Sequence, residues 1–146
     1  MSADTWYHVV LTSDGSGTNR VNKCYINGSE VATNSSATVA SSTNLESHTG
    51  ATSLITSSLA GLVYYNQHLD QIATWNDVLD SDNVSAIYND NPNLSSNSGN
   101  YTGAARLQKY LKMEEGTGTS TNDLAGNGFA AMTLVNGAAW STDKPW

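Results

Sequence analysis

Apolar and polar residues alternate with a period of two near the N-terminal end of the chain. The pattern covers Trp6-Tyr-His-Val-Val-Leu-Thr-Ser-Asp14-Gly15 and Lys23-Cys-Tyr-Ile-Asn27-Gly28-Ser-Glu-Val31. Such alternation places one face of a β-strand in a core, and Asn-Gly supplies the positive φ angles of a two-residue type I′ turn. The segment therefore predicts a strand, a loop and a β-hairpin that turns at Asn27-Gly28.

Further along the chain, short apolar runs predict more strands. Residues 31–54 are rich in Ser, Thr, Ala and Asn, which favours loops or edge strands over a helix. The other runs are compact or alternate with a period of two. These predicted strands cover residues 61–65, 69–75, 107–113 and 129–135.

One short helix is predicted over residues 80–89. Asp80 or Ser81 can accept hydrogen bonds from the first free backbone amides of a helix. Asn91-Pro92 should end the helix, because proline cannot continue one. The apolar positions at helical spacing are Val84, Ile87 and Tyr88.

Many short strands with a single helix favour an all-β fold, an antiparallel β-sandwich. A chain of 146 residues is long enough for one domain with a core. Residues 93–103 are polar and predict a linker. It would join residues 1–92, which carry the first strands and the helix, to additional strands in residues 104–146.

Composition excludes several classes of partner. Charged residues make up 13% of the chain, and six basic against 13 acidic residues give a net charge of −7. The few cations form no dense patch, so neither nucleic acid nor an anionic membrane surface is an expected partner. The single cysteine, Cys24, cannot form an intrachain disulfide and is expected to be a small buried residue. No apolar stretch is long enough for a membrane-spanning helix.

Four short motifs follow one another in residues 5–90: Trp6-x-His8-Val9, Tyr25-x-Asn27-Gly28, Leu69-Asp-Gln-Ile-Ala-Thr-Trp75-Asn76 and Val84-Ser-Ala-Ile87-Tyr88. In order and spacing they resemble those of laminin-G-like, concanavalin-A-like jelly-roll domains. The resemblance implies a concanavalin-A-like sandwich and a protein that binds a ligand more often than it cleaves one.

The C-terminal part resembles the segment that usually opens such a jelly roll, although here it comes last. The similar stretches are 107–118, 123–128 and 132–140. The order fits a circularly permuted or half-size sandwich, a piece of a larger chain, or an extension of the kind seen in proteins resembling viral structural ones. A sandwich that lacks its middle strands exposes an apolar face. We therefore expect other copies or another chain to cover that face.

Catalytic patterns are missing from the sequence. Retaining glucanases place two carboxylates about 5 Å apart, but the glutamates do not follow the Glu-x-Asp-x-x-Glu spacing of the similar enzymes. Glu114 and Glu115 are adjacent, so on a strand they would point to opposite faces. No nucleophile or metalloprotease motif occurs, and His8 lies in the first strand as a structural hydrogen-bonding residue. The chain is predicted not to be an enzyme.

Two candidate sites follow from the resemblance and from side-chain chemistry. Calcium, which many similar domains bind through oxygen ligands, is the one cofactor implied, with Asp70 and Asp123 as candidate metal ligands. Gln71 replaces a carboxylate of the family pattern and removes one charge. A sugar site needs an exposed aromatic ring beside polar groups, and the candidate residues are Tyr64, Tyr65, Asn66 and His68. The tryptophans Trp6, Trp75 and Trp140 are expected to be core anchors.

The predicted function is that of a non-enzymatic structural or recognition module. It would belong to an exposed assembly, such as a viral fibre, a capsid decoration or an adhesin, at a virion surface or outside the cell. Its expected partners are other copies of itself, another structural chain, and glycans. The alternative is a soluble carbohydrate-binding, lectin-like domain that depends on calcium.

Overall fold

A computed structural model describes residues 2, 4–16, 19–37, 68–128, 131–135 and 137–145. These segments contain seven antiparallel strands, one α-helix and a 3-10 turn at Ala104–Arg106. The all-β fold class with one short helix is thereby confirmed. The elements are β1 Val9–Asp14, β2 Asn19–Ile26, β3 Ser29–Ala37, β4 Ile72–Trp75, α1 Ser81–Asp90, β5 Leu107–Leu111, β6 Ser120–Thr121 and β7 Met132–Thr133.

The first three strands form one sheet in the order β1-β2-β3. The predicted hairpin turn is confirmed, because Asn27 has φ 50° and Gly28 has φ 78° between β2 and β3. A Cβ atom at Gly28 would lie 3.0 Å from the Tyr88 ring, so close packing as well as backbone angle favours glycine here. The Asn27 side chain accepts a hydrogen bond of 3.0 Å from the His8 amide, which ties the turn to the start of β1.

Helix α1 begins and ends where the sequence predicts. The Asp80 carboxylate accepts a 2.8 Å hydrogen bond from the Asn83 amide and caps the first turn. This amide and the Asn83 side chain hold the pKa of Asp80 below its usual range. At the other end, Asn91 adopts φ 40°, a left-handed conformation that stops the helix.

Two further sheets follow, β4 with β5 and β6 with β7. The predicted strands at 69–75 and 107–113 are shorter than expected, because Gln71 has φ 49° and Met113 has φ 59°. A left-handed residue cannot continue a strand. Within the predicted strand 129–135, the structure contains the two-residue strand β7, Met132–Thr133. The predicted strand 61–65 lies outside the described residues.

One core joins the N-terminal and C-terminal parts of the described chain. The segment 93–103, which composition predicts to be a polar linker, contributes Leu94 and Tyr101 to this core. The Tyr101 hydroxyl donates to the Leu94 carbonyl at 2.9 Å and accepts from Trp75 Nε1 at 3.1 Å. Two buried side chains among polar neighbours are thus enough to anchor the segment. The buried core residues are Tyr25, Leu79, Val84, Ala86, Ile87, Leu94, Tyr101, Leu107 and Tyr110.

None of the helices in the described residues is both long enough and apolar enough to cross a bilayer.

Candidate functional site

The sheet of β1, β2 and β3 has one face in the core and one face that the described residues leave open. Tyr25 and its neighbour in register, Val10, belong to the core side, where Tyr25 is only 2% exposed. Val9 and Leu11 point the other way and are 49% and 76% exposed. We call this second surface the open face, and it comprises Val9, Leu11, Ser13, Asn22, Cys24, Ile26, Ala32 and Asn34.

The open face carries no acidic side chain. Across the sheet, Leu11 pairs with Cys24, and Cys24 pairs with Ala32, so an apolar stripe crosses all three strands. Cys24 is half-buried on this face, although cysteine is usually a fully buried residue and was expected to be one here. The Lys23–Glu30 ion pair, 2.9 Å long, lies on the opposite face by the same alternation.

A second surface feature brings three distant residues together. His68 Nδ1 lies 2.9 Å from Asp143 Oδ2, and Trp6 Nε1 donates to Asp143 Oδ1 at 3.4 Å. The Trp6 and His68 rings are 6.1 Å apart between centroids and tilted by 46°. His68 and Asp143 are exposed and Trp6 is half-buried. We call these three residues the Trp6 cluster.

The Trp6 cluster has the chemistry expected of a sugar site, with an aromatic face beside a carboxylate and an imidazole. Of the predicted ligand residues it contains only His68, while Tyr64, Tyr65 and Asn66 lie outside the described residues. Sequence reasoning missed Asp143, which is 75 positions from His68. No local motif connects such distant positions.

Of the three tryptophans that were predicted to be core anchors, Trp75 packs against the core, whereas Trp6 and Trp140 lie at its boundary. Trp75 packs against the core and donates to Tyr101, as an anchor should. Trp6 is half-buried beside His68, and Trp140 is half-buried with its Nε1 donating to the Gly118 carbonyl at 2.9 Å. Indole N–H groups favour such boundary positions because they need a hydrogen-bond acceptor.

His8 is held in place by packing and by its backbone hydrogen bonds. Its ring stacks on Tyr88 at 5.8 Å, and its Nδ1 is buried without a hydrogen-bond partner. Burial lowers the pKa of His8, which favours the neutral ring. The hydrogen bonds that fix this position are those of the backbone with Asn27.

The two candidate metal ligands occupy different environments. Asp70 is half-buried; burial raises the pKa of its carboxyl, against the opposing effect of a hydrogen bond from the Gln71 amide. Asp123 Oδ1 accepts hydrogen bonds from the Tyr110 and Ala125 amides, at 2.9 and 3.0 Å. Among the described residues, no group of three or more His, Cys, Asp or Glu side chains is placed to hold a metal ion. Calcium binding through Asp70 and Asp123 stays a prediction.

The three-stranded sheet, its hairpin and helix α1 are elements of an antiparallel, mostly β domain. A family model described as the concanavalin A-like lectin/glucanases superfamily matches residues 1–85, which is more than half of the 146 residues. The chain belongs to this superfamily. Comparison with curated proteins and with solved structures returned no match.

Proposed function

We propose that the chain is a non-enzymatic structural and recognition module that associates with a second copy of itself through the open face. The observation that carries the proposal is the exposure of an uncharged apolar stripe centred on Leu11 and Val9. An exposed contiguous apolar patch marks an interaction surface in a stable domain. A sheet of the same kind is its natural complement, since two sheets pack face to face about 10 Å apart.

The distribution of charge favours the open face as the interface between two copies. Each copy carries a net charge of −7, so close approach of most surfaces brings carboxylates together. The residues that define the open face include no acid, and Arg20, which the strand alternation places at the end of the same face, donates to Ser13 within the same copy at 3.0 Å. Self-association through the open face therefore does not desolvate any carboxylate.

The size of the face sets the expected affinity. Three strands about 4.8 Å apart and about 20 Å long present a flat area on the order of 300 Å² per copy. That is well below the roughly 800 Å² per partner of a standard stable interface. We therefore expect weak association, with a Kd on the order of 10⁻⁵ to 10⁻⁴ M, which suits a module repeated within a larger exposed assembly because repeated contacts add avidity.

Two of the described glutamates are held in ion pairs with lysines, which supports a role without catalysis. The superfamily contains both lectins and glucanases, but a retaining glucanase needs two carboxylates that face each other. Glu30 pairs with Lys23, and Glu114 pairs with Lys112 at 2.8 Å. A viral fibre, a capsid decoration or an adhesin, at a virion surface or outside the cell, is the kind of assembly we propose.

Sedimentation of the full chain from about 1 to about 200 µM tests the association. We expect the mass to rise from monomer to dimer, and Leu11→Thr to weaken dimerisation at least about 10-fold, because two leucines leave the interface. Threonine keeps the preference for a strand. Val135→Thr is the matched control, since Val135 is also an exposed apolar side chain but lies outside the open face.

A wild-type chain that stays monomeric over the whole range contradicts the proposal. If Leu11→Thr then also lowers the free energy of unfolding by several kcal/mol, other residues of the same chain cover the open face.

The Trp6 cluster favours carbohydrate binding as a second candidate function. A pyranose ring can stack on Trp6 while Asp143 accepts hydrogen bonds from its hydroxyls. We expect selective binding on a glycan array, and a loss of about 10-fold for Asp143→Asn, because a charge-assisted hydrogen bond is weakened. Asp90→Asn, at the exposed end of α1, is the control. Repeating the array with a chelator tests the calcium dependence, and absence of any selective binding excludes this candidate.

A further inference from the structure

The contact between the first hairpin and helix α1 contains a titratable group that the proposed function does not use. His8 lies directly before β1, on the same side of the strand as Val10, which packs against the core. The His8 ring stacks on Tyr88 of α1, with 5.8 Å between the ring centroids and 29° between the ring planes. The Tyr88 ring also packs against the hairpin turn, since a Cβ atom at Gly28 would lie 3.0 Å from it. Tyr88 thus holds the helix against both His8 and the turn.

The backbone of His8 is fixed to the hairpin turn through both of its polar groups. The His8 amide donates to Asn27 Oδ1 at 3.0 Å, and the His8 carbonyl accepts from the Asn27 amide at 2.9 Å. Because the backbone is held in this way, the imidazole ring leaves Tyr88 only by rotation of the side chain or by loosening of the turn. The contact is therefore sensitive to any change in the preference of this ring for water.

Protonation makes such a change. Nδ1 of His8 is buried and has no hydrogen-bond partner. A neutral ring with its proton on Nε2 leaves only a lone pair at this buried position. Protonation of Nδ1 adds an N–H donor and a positive charge there, and an unpaired buried charge costs far more than an unpaired neutral acceptor. Burial accordingly lowers the pKa of His8.

The elements around His8 supply no counter-ion among the described residues. The titratable group that α1 presents to it is the Tyr88 ring, and the turn carries none. Asp82 and Asp90 of α1 lie six and two positions from Tyr88, off the helix face that carries this ring. Charged groups on the same side of the sheet and beside Trp6 pair with one another: Lys23 with Glu30 and His68 with Asp143, both at 2.9 Å.

We propose that His8 is an acid-sensitive switch, in which uptake of a proton at Nδ1 breaks the stack on Tyr88 and releases the hairpin turn from helix α1. The released ring takes up the proton more readily than the packed ring. Packing is therefore fully favoured above about pH 6.5 and weakens as the pH falls below this value. His8 lies on the core side of the sheet, so the switch does not depend on self-association through the open face.

The pH dependence of the melting temperature tests the switch. From about pH 7.5 to about pH 5, the melting temperature of the wild-type chain should fall by about 3–6 °C more than that of His8→Phe, because phenylalanine keeps a flat ring against Tyr88 but takes up no proton. His8→Gln, which also cannot titrate, serves the same purpose if the larger ring prevents folding. His68→Gln is the matched control and should keep the wild-type acid response, because His68 is exposed and lies outside the contact.

A pH titration of the full chain by NMR shows whether the contact itself opens. We expect the Cε1 proton of His8 to titrate with a midpoint below about 6.5, and the ring protons of Tyr88 to shift with the same midpoint. A midpoint at or above this value overturns the proposal, and so do Tyr88 signals that do not follow His8. An acid response that persists in full in both His8→Phe and His8→Gln, or that disappears in His68→Gln, also overturns it, because another group would then be the sensor.

Discussion

Replacement of Asn83 by Ala is expected to lower the free energy of unfolding by about 2–4 kcal/mol. Asn83 is 6% exposed, and its amide links the start of α1 to the segment before β5. Its Nδ2 donates to Asp80 at 2.7 Å, and its Oδ1 accepts from the Thr102 amide at 2.8 Å. Alanine removes both bonds and leaves the part-buried Thr102 amide without its side-chain partner.

Urea unfolding of Asn83→Ala and Asn89→Ala measures this effect against a matched control. Asn89 lies on the same helix but is exposed, and its side chain makes one local hydrogen bond to Ser85 at 3.0 Å. We expect the control to change stability by less than about 0.5 kcal/mol. Equal effects at the two positions would show that helix propensity, rather than the buried amide network, determines the loss.

Asn83 also shows what sequence can predict about this fold. The cap at Asp80 and the end of α1 follow from residues within one or two turns, and both were predictable. The bond from Asn83 to Thr102 spans 19 positions, and nothing local distinguishes Asn83 from an ordinary surface asparagine. For the same reason, Leu94 and Tyr101 were not expected in the core from the polar composition around them.

The candidate sites also differ in how much of each could be predicted from local sequence. An open apolar face was expected from the resemblance, because a sandwich that lacks its middle strands exposes one. The Trp6 cluster was not expected as a unit, since Asp143 is 137 positions from Trp6 and 75 positions from His68. Asp123 was expected as a metal ligand, whereas the structure shows its Oδ1 accepting hydrogen bonds from the Tyr110 and Ala125 amides, the first of them 13 positions away.

Tyr25 and Leu11 lie on opposite faces of the same sheet, and this allows the state of the open face to be measured. Tyr25 is 2% exposed and packs in the core. Tyr25→Ala should lower the free energy of unfolding by about 3–5 kcal/mol, because it removes a buried aromatic ring and leaves a cavity. Tyr25→Phe keeps the ring and should cost less than about 1 kcal/mol.

Leu11→Ala, measured by urea unfolding at about 1 µM chain, should change stability by less than about 1 kcal/mol. At this concentration the proposed dimer is dissociated, and a side chain that is 76% exposed loses little when it is shortened. At about 200 µM the same substitution should cost more, because dimer formation adds to the apparent stability of the wild-type chain. A cost of several kcal/mol that does not vary with concentration would mean that Leu11 is buried within one copy. The dependence on concentration therefore distinguishes a face completed by a second copy from one completed by the chain itself.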